Sequence, residues 1–323
     1  MGKTKNKLTV LFISLFFSLL LIEVILRLTY PLYSNYAMEM WRYGVNLKKQ
    51  AFDRAITHEH IPSKSFRFYG VEIKTNSLGL RSDREYLVPK PQNIKRILVL
   101  GDSITMGWGV SFKETYPYIL ETLINKGSKL NFEVINSGVG NYNSASELSA
   151  LKRLSALEPD MIILGFYIND LEDIRPSSGL SYFLSRHSYL YAFIWSKLIN
   201  IKYYYPNNDY QSYYSKLYQD PNLRFKAMDA INQMIEIANK RRIPFVFINI
   251  PEMHSFKEGS FQAAGDFTKE IKREHPEIIF VDLAEILKGN NARDFWVSSE
   301  DPHPNANLHR IIAESVYSSI GGK

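Results

Sequence analysis

Short apolar runs and stretches of helical period alternate through most of this chain. Residues 96–100, 132–135, 161–164, 244–250 and 278–283 are apolar runs of seven residues or fewer, the length and texture of buried strands. Between and after them, residues 114–125, 144–157, 223–241, 268–274 and 307–320 carry apolar side chains at helical spacing. Continuous apolar strands separated by helices predict a parallel sheet covered on both faces. The expected class is α/β, a three-layer α/β/α sandwich with a central parallel sheet over residues 93–321.

Three stretches depart from this rhythm. The first is N-terminal: Lys3, Lys5 and Lys7 precede fifteen uncharged residues, Leu8 to Ile22, and the apolar pattern continues to Leu26. Nineteen residues at about 1.5 Å each just reach the thickness of a hydrocarbon core. Glu23 and Arg27 lie four apart on one helical face and can neutralise one another. Tyr30, Tyr33 and Tyr36 follow as an interfacial aromatic belt would. A cleaved signal peptide is the rival, but no small-x-small site follows closely. Residues 1–29 therefore read as cytoplasmic lysines and a transmembrane anchor, with the rest of the chain extracytoplasmic.

Residues 30–92 form a polar, aromatic-rich connection. Within it, 70–81 predicts a short strand, a turn at Asn76 and Ser77 and an exit at Gly79; Pro89 and Pro91 punctuate its end. Residues 172–222 are too long for an ordinary connection and are crowded with aromatics, among them Tyr189, Trp195, Tyr205, Tyr214 and Tyr218. Three readings stay open there. It is a helical insertion packed on the sheet, a lid or substrate wall, or a surface that touches the membrane.

Composition narrows the classes of function. The 323 residues suffice for a sizeable core, and neither repeats nor low-complexity segments appear. A net charge of +6, with basic residues spread along the chain, brings no nucleic-acid motif. The absence of cysteine excludes disulfides, thiolate metal sites and a cysteine nucleophile.

Four separated pieces carry candidate chemistry. Gly101, Asp102 and Ser103 end the first strand of the sandwich, placing a hydroxyl at the rim of the sheet beside a predicted helix N-terminus. Residues 136–143, with Gly138 and Gly140, follow the second strand, where glycine lets backbone N–H groups come close to a ligand. Asn169 and Asp170 follow the third strand, and Asn169 offers an amide donor. Glu300, Asp301 and His303 precede the last helix and supply carboxylate and imidazole. Nucleophile, oxyanion donors, base and orienter together are the inventory of covalent acyl transfer.

These blocks, in this order, resemble those of the SGNH (GDSL) hydrolase superfamily over about residues 93–321. The anchor, the stretch 76–81 and the block at 165–170 are also similar to a bacterial membrane-attached branch of that family. The resemblance implies Ser103 as nucleophile and His303 as general base. It implies an oxyanion hole of the Ser103 N–H, the Asn169 amide and a glycine-block N–H. Gly140 is favoured for that last donor over Asn141, and Asp301 is favoured over Glu300 as the triad carboxylate. Asp102 and Asp170 read as turn-holding residues. No metal or other cofactor is implied. His58 and His60 read as surface residues, His187 and His254 as solvated or core residues, and His309 as a helix-stabilising group.

The resemblance implies a serine esterase acting on an O-acyl, or specifically O-acetyl, group of an envelope glycan or lipid. The alternatives are an O-acyltransferase with the same triad and a non-catalytic assembly protein. The expected partners are the acylated substrate and the membrane, and no nucleic acid.

Overall fold

The computed structural model describes residues 2–33, 35–51, 56–174, 179–204, 210–257 and 259–321. The chain opens with α1 (Gly2–Tyr33), whose stretch Lys7–Tyr30 is long and apolar enough to cross a membrane, as an anchor or a signal sequence would be. After α2 (Tyr36–Asn46), two antiparallel pairs occupy the connecting region: β1 (Lys48–Gln50) with β2 (His58–His60), and β3 (Ser65–Phe68) with β4 (Val71–Lys74). The predicted turn after β4 is built by Asn76, whose Oδ1 accepts the N–H groups of Leu78 and Leu80 at 3.0 Å each.

The sandwich then runs through β5 (Ile94–Gly101), α3 (Ser103–Met106), α4 (Tyr116–Gly127), β6 (Asn131–Asn136), α5 (Ser144–Arg153) and β7 (Met161–Phe166). Three helices intervene: α6 (Gly179–His187), α7 (Tyr189–Tyr204) and α8 (Tyr210–Gln219). The alternation resumes with α9 (Pro221–Arg241), β8 (Phe245–Asn249), α10 (Gln262–Glu274), β9 (Ile279–Asp282) and α11 (Leu283–Ile286). A hairpin of β10 (Trp296–Ser298) and β11 (Asp301–Pro304) leads into α12 (Ala306–Ser319). The helix starts are chemically marked. Asp220 caps α9 by accepting from the N–H groups of Asn222 and Leu223, with Pro221 in its first turn.

The main sheet has the order β6-β5-β7-β8-β9, and every neighbouring pair is parallel. Side chains alternate along each strand. Leu98 and Leu100 enter one core with α5, α8, α9 and α10, whereas Ile97 and Val99 enter the other with α4 and α12. Fully burying one such side chain contributes about 1.5–3 kcal/mol. The two-sided burial follows from topology. The crossover from β5 to β6 runs one way along the sheet and that from β6 to β7 runs back, so right-handed crossovers put α4 and α5 on opposite faces.

The chain divides into two compact units, Met1–Val45 with Ser177–Asn208, and Asn46–Pro176 with Asp209–Lys323. The aromatic stretch is shared between them. Its later part, α8, belongs with the sandwich: Tyr214 and Tyr218 are buried in the core that holds α9, and Tyr218 stands edge-on to Phe267 at 5.7 Å. Its earlier part, α6 and α7, groups with α1 and α2. Tyr205 lies outside the described residues.

Candidate active site

The sheet changes direction at β5. The chain leaves that strand on one side for β6 and returns on the other for β7, and Gly101, the last residue of β5, pairs with Gly165, one before the end of β7. Open α/β sheets bind ligands in the crevice at such a switch point. Here Ser103 follows β5, the loop at 136–141 follows β6 and Asn169 follows β7.

Close packing holds these turns together. A Cβ on Gly101 would stand 2.0 Å from Thr105 Oγ1, and one on Gly138 would stand 2.2 Å from the backbone nitrogen of Met106. Only glycine lets the loop after β6 lie directly against α3. Asn136 fastens that contact. Its Nδ2 donates to Thr105 O at 2.8 Å and its Oδ1 accepts the Gly138 N–H at 3.0 Å. Asp102 caps α3 through the Ile104 N–H at 2.8 Å and accepts Asn169 Nδ2 at 3.1 Å. It therefore joins two of the four sequence blocks, a larger role than holding its own turn. α3 is a single turn of four residues, so its local N–H groups, and not a long-helix dipole, are what the turn at Ser103 offers to negative charge.

Ser103 and His303, two hundred positions apart, meet. Ser103 Oγ lies 2.9 Å from His303 Nε2, and His303 Nδ1 lies 2.6 Å from Asp301 Oδ1. The same Oδ1 accepts the His303 backbone N–H at 3.1 Å, and Asp301 Oδ2 accepts Trp108 Nε1 at 2.8 Å. Burial pushes the Asp301 carboxyl up, but the hydrogen bonds and charge of His303 and the Trp108 donor outweigh it and hold the group below the usual carboxylate value. Glu300 is exposed, so the shorter Asp-x-His spacing is the one that brings a carboxylate to the imidazole. Burial keeps the Asp102 carboxyl raised despite its N–H partners.

The peptide after Gly140 is pinned from the connecting region. Gly140 O accepts Lys48 Nζ at 2.5 Å and His58 Nε2 at 2.9 Å, while Thr57 Oγ1 donates to His58 Nδ1 at 2.8 Å and so selects the Nε2–H tautomer. Burial pulls Lys48 down to about 7 against the opposing charge of Asp102. Asn141 is exposed with a positive φ of 67°.

Several sequence expectations are corrected. His58 and His60 are not surface residues. His58 is half-buried on Gly140 O, His60 is buried with Nδ1 3.2 Å from Gly79 O, and burial pulls both down to about 3. His309 does more than stabilise its helix: fully buried, it accepts the Tyr116 N–H on Nδ1 at 3.2 Å and ties α12 to α4, and burial pulls it down to about 3. Asp170 does hold its turn through the Tyr167 N–H at 3.3 Å. It is also buried facing the charge of Glu147, and burial raises both acids well above the usual carboxylate range. His187 stays exposed and stacks on Phe183, and His254 bonds Glu252. The roles of Trp108, Asn136 and Lys48 are new, as is that of Arg81, which donates to Met106 O and Val110 O after the turn at Ser103. The one usable signal was Trp108 itself, because a buried indole N–H next to a catalytic motif needs a partner.

With the site described, comparison with known proteins gives its class. Residues 99–311 match the GDSL-like Lipase/Acylhydrolase family, and the chain belongs to this family of the SGNH hydrolase superfamily. Its fold is similar to the lipase Lip_vut3 from a goat rumen metagenome, at 15% identity over 71% of this chain and 98% of that one, with a TM-score of 0.50. It is also similar to a lipolytic G-D-S-L family member from Veillonella parvula DSM 2008 (15% identity, 70% and 97% covered, TM-score 0.42). A catalytic mutant of Axe2, an acetylxylan esterase from Geobacillus stearothermophilus, resembles it to a comparable degree (17% identity, 71% and 95% covered, TM-score 0.43). No curated protein matches the chain.

Proposed function

We propose that this family member is a membrane-anchored serine esterase that hydrolyses an O-acyl ester, O-acetyl among the candidates, of a cell-envelope glycan or lipid. The observation that carries the reading is the unbroken chain from Ser103 Oγ through His303 to the buried Asp301. Ser103 Oγ attacks the ester carbonyl while His303 Nε2 takes its proton, and Asp301 holds the imidazole in the tautomer that leaves Nε2 as acceptor. Collapse of the tetrahedral intermediate expels the alcohol, which receives that proton. Water then attacks the acyl-serine through the same base. The Ser103 and Gly140 N–H groups and the Asn169 amide are the oxyanion donors in this scheme. The Asn169 amide nitrogen carries two N–H groups and commits one to Asp102. Losing one such donor costs about 3–4 kcal/mol of transition-state stabilisation.

The anchor is the second part of the reading. Residues 1–29 hold the chain in the membrane, 30–92 connect, and 93–321 form the catalytic domain outside, with the N-terminal lysines on the cytoplasmic side. Support comes from Glu23, whose carboxylate pairs with Arg27 at 2.8 Å and accepts the N–H groups of Tyr189 and Leu190. Removing α1 as a leader would strip those contacts from α7. The test is labelling of the detergent-solubilised full chain with a fluorophosphonate, together with p-nitrophenyl acetate hydrolysis. Labelling and turnover should vanish in Ser103→Ala. Equal rates in parent and variant would refute the enzymatic assignment, and acyl transfer to an added glycan in place of free acid would refute hydrolysis as the reaction.

A further inference from the structure

We infer that α6 and α7 form a second membrane-contact element, lying in the headgroup and upper acyl layer of the bilayer that α1 crosses. The inference rests on the anchor reading of α1. α7 is sixteen residues long and apolar over most of its circumference. At about 1.5 Å per residue it is shorter than a hydrocarbon core of about 30 Å, so it is not a second span. Nor is it simply a core helix, because Ile194, Trp195 and Leu198, on one stripe, are 49%, 52% and 54% exposed. Leu180 and Phe183, one turn apart on α6, are more exposed still.

The depth of this pair is set by its attachments within its own unit. Glu23 stands near the outer end of the apolar stretch of α1, and its carboxylate accepts Ser188 Oγ, the Tyr189 N–H and the Leu190 N–H, each at 2.9 Å. It thereby caps the N-terminus of α7, where negative charge is favoured. Arg27 donates to His187 O and lies over the Tyr189 ring at 5.2 Å. Tyr30 and Trp41 stand edge-on to the same ring at 5.8 and 4.9 Å, and Arg186 Nη2 donates to Val45 O at 2.8 Å. Tyrosine, tryptophan and arginine gathered at the end of a spanning helix mark the headgroup level. The junction of α6 and α7 is bonded at that level, so its exposed apolar residues meet the same lipid as the exposed Val24 and Ile25 of α1. That continuity identifies the occupant as bilayer lipid.

The chain has no cysteine, so single cysteines can carry an environment-sensitive fluorophore. Four full-chain variants, Phe17→Cys, Trp195→Cys, Leu198→Cys and Lys129→Cys, would be labelled and reconstituted in phosphatidylcholine–phosphatidylglycerol vesicles. The vesicles carry lipid quenchers placed either near the headgroup or near the acyl-chain end. The expected result is quenching of the position-17 probe mainly by the deep quencher. The probes at 195 and 198 should shift to the blue and be quenched mainly by the shallow one, and the probe at 129 by neither. Probes at 195 and 198 that behave like the one at 129, with the position-17 probe quenched, overturn this inference and leave the anchor standing. An unquenched position-17 probe removes the anchor reading and this inference together.

Discussion

Consider Asp301 replaced by asparagine. The carboxylate uses both oxygens as acceptors: Oδ1 faces His303 Nδ1 and the His303 N–H, and Oδ2 faces Trp108 Nε1. An amide has one oxygen and one NH2 group, so in either orientation an N–H is turned against an N–H. With NH2 towards His303 the imidazole must become the Nε2–H tautomer, which cannot take the Ser103 proton, a lesion of about 10⁴ in kcat or about 5.5 kcal/mol. With NH2 towards Trp108 the tautomer survives, but two buried donors oppose each other at a cost of about 1–3 kcal/mol. The first orientation likewise turns the NH2 against the His303 backbone N–H, so each opposes one donor pair, and Trp108 is the donor that weighs against the active one. Adding Trp108→Phe removes the opposing donor and should make the double variant more active than Asp301→Asn alone, by up to the factor of about 5–160 that 1–3 kcal/mol allows. Trp108→Phe by itself should lower activity, because Asp301 Oδ2 then loses its donor. Steady-state hydrolysis of p-nitrophenyl acetate measures all four proteins, with thermal melts to confirm folding. A folded double variant no more active than Asp301→Asn would refute the role given to the indole N–H.

Three other perturbations follow from the same geometry. Arg81, buried, donates from Nη1 to Met106 O at 2.7 Å and to Gly107 O, and from Nη2 to Val110 O at 2.7 Å; Arg81→Met leaves these carbonyls without that donor and should destabilise by on the order of 4 kcal/mol, about 10 °C in Tm by calorimetry. Lys48→Met removes one of the two donors on Gly140 O. It should lower kcat/KM about tenfold with Tm little changed, and an unaltered rate would show that His58 alone fixes the loop. His60 and His309 are buried neutral, with folded values depressed to about 3. Their contribution to stability is therefore full above the ordinary histidine range and is lost as pH falls from about 6.5 towards 3, because the unfolded chain takes up the protons first. His309→Gln keeps an acceptor without the titration and should move the acid-unfolding midpoint to lower pH in a fluorescence titration; an unchanged midpoint would contradict this.

Much of the sandwich could be read from the chain because its strands are buried on both faces and carry unbroken apolar runs. The stretch 96–100 lies within β5 and 161–164 within β7, with ends that ran further than predicted where glycine and phenylalanine continue the strand. The candidate side chains were legible because a hydroxyl, a carboxylate, an imidazole and their N–H neighbours sit in short local blocks. Asp301 and His303 are two residues apart and read as a pair, although their meeting with Ser103 could only be expected by resemblance. What stayed hidden was every contact without a local pattern. His58 and His60 have the spacing of exposed strand residues, and nothing near them in sequence announces that Gly140 O and Gly79 O are their partners. The aromatic stretch was ambiguous for the same reason: α7 and α8 carry four tyrosines each, and only their neighbours separate them.

Those hidden contacts share an origin. Lys48 and His58 hold the carbonyl of Gly140, Arg81 gathers the carbonyls that follow the turn at Ser103, and Phe68 packs at 5.7 Å from the Trp108 ring whose N–H holds Asp301. All four come from residues 46–92, the part of the chain that looks like a connection. Each acts on a backbone group or a side chain that the four blocks leave to be positioned from outside. A reaction that stabilises charge with fixed N–H groups depends on how rigidly those groups are held, because preorganised donors need no reorganisation as the oxyanion forms. The two small antiparallel pairs β1–β2 and β3–β4 are therefore the outer frame of this site. In this protein the segment between the apolar helix and the sandwich touches the candidate site as directly as the sheet does.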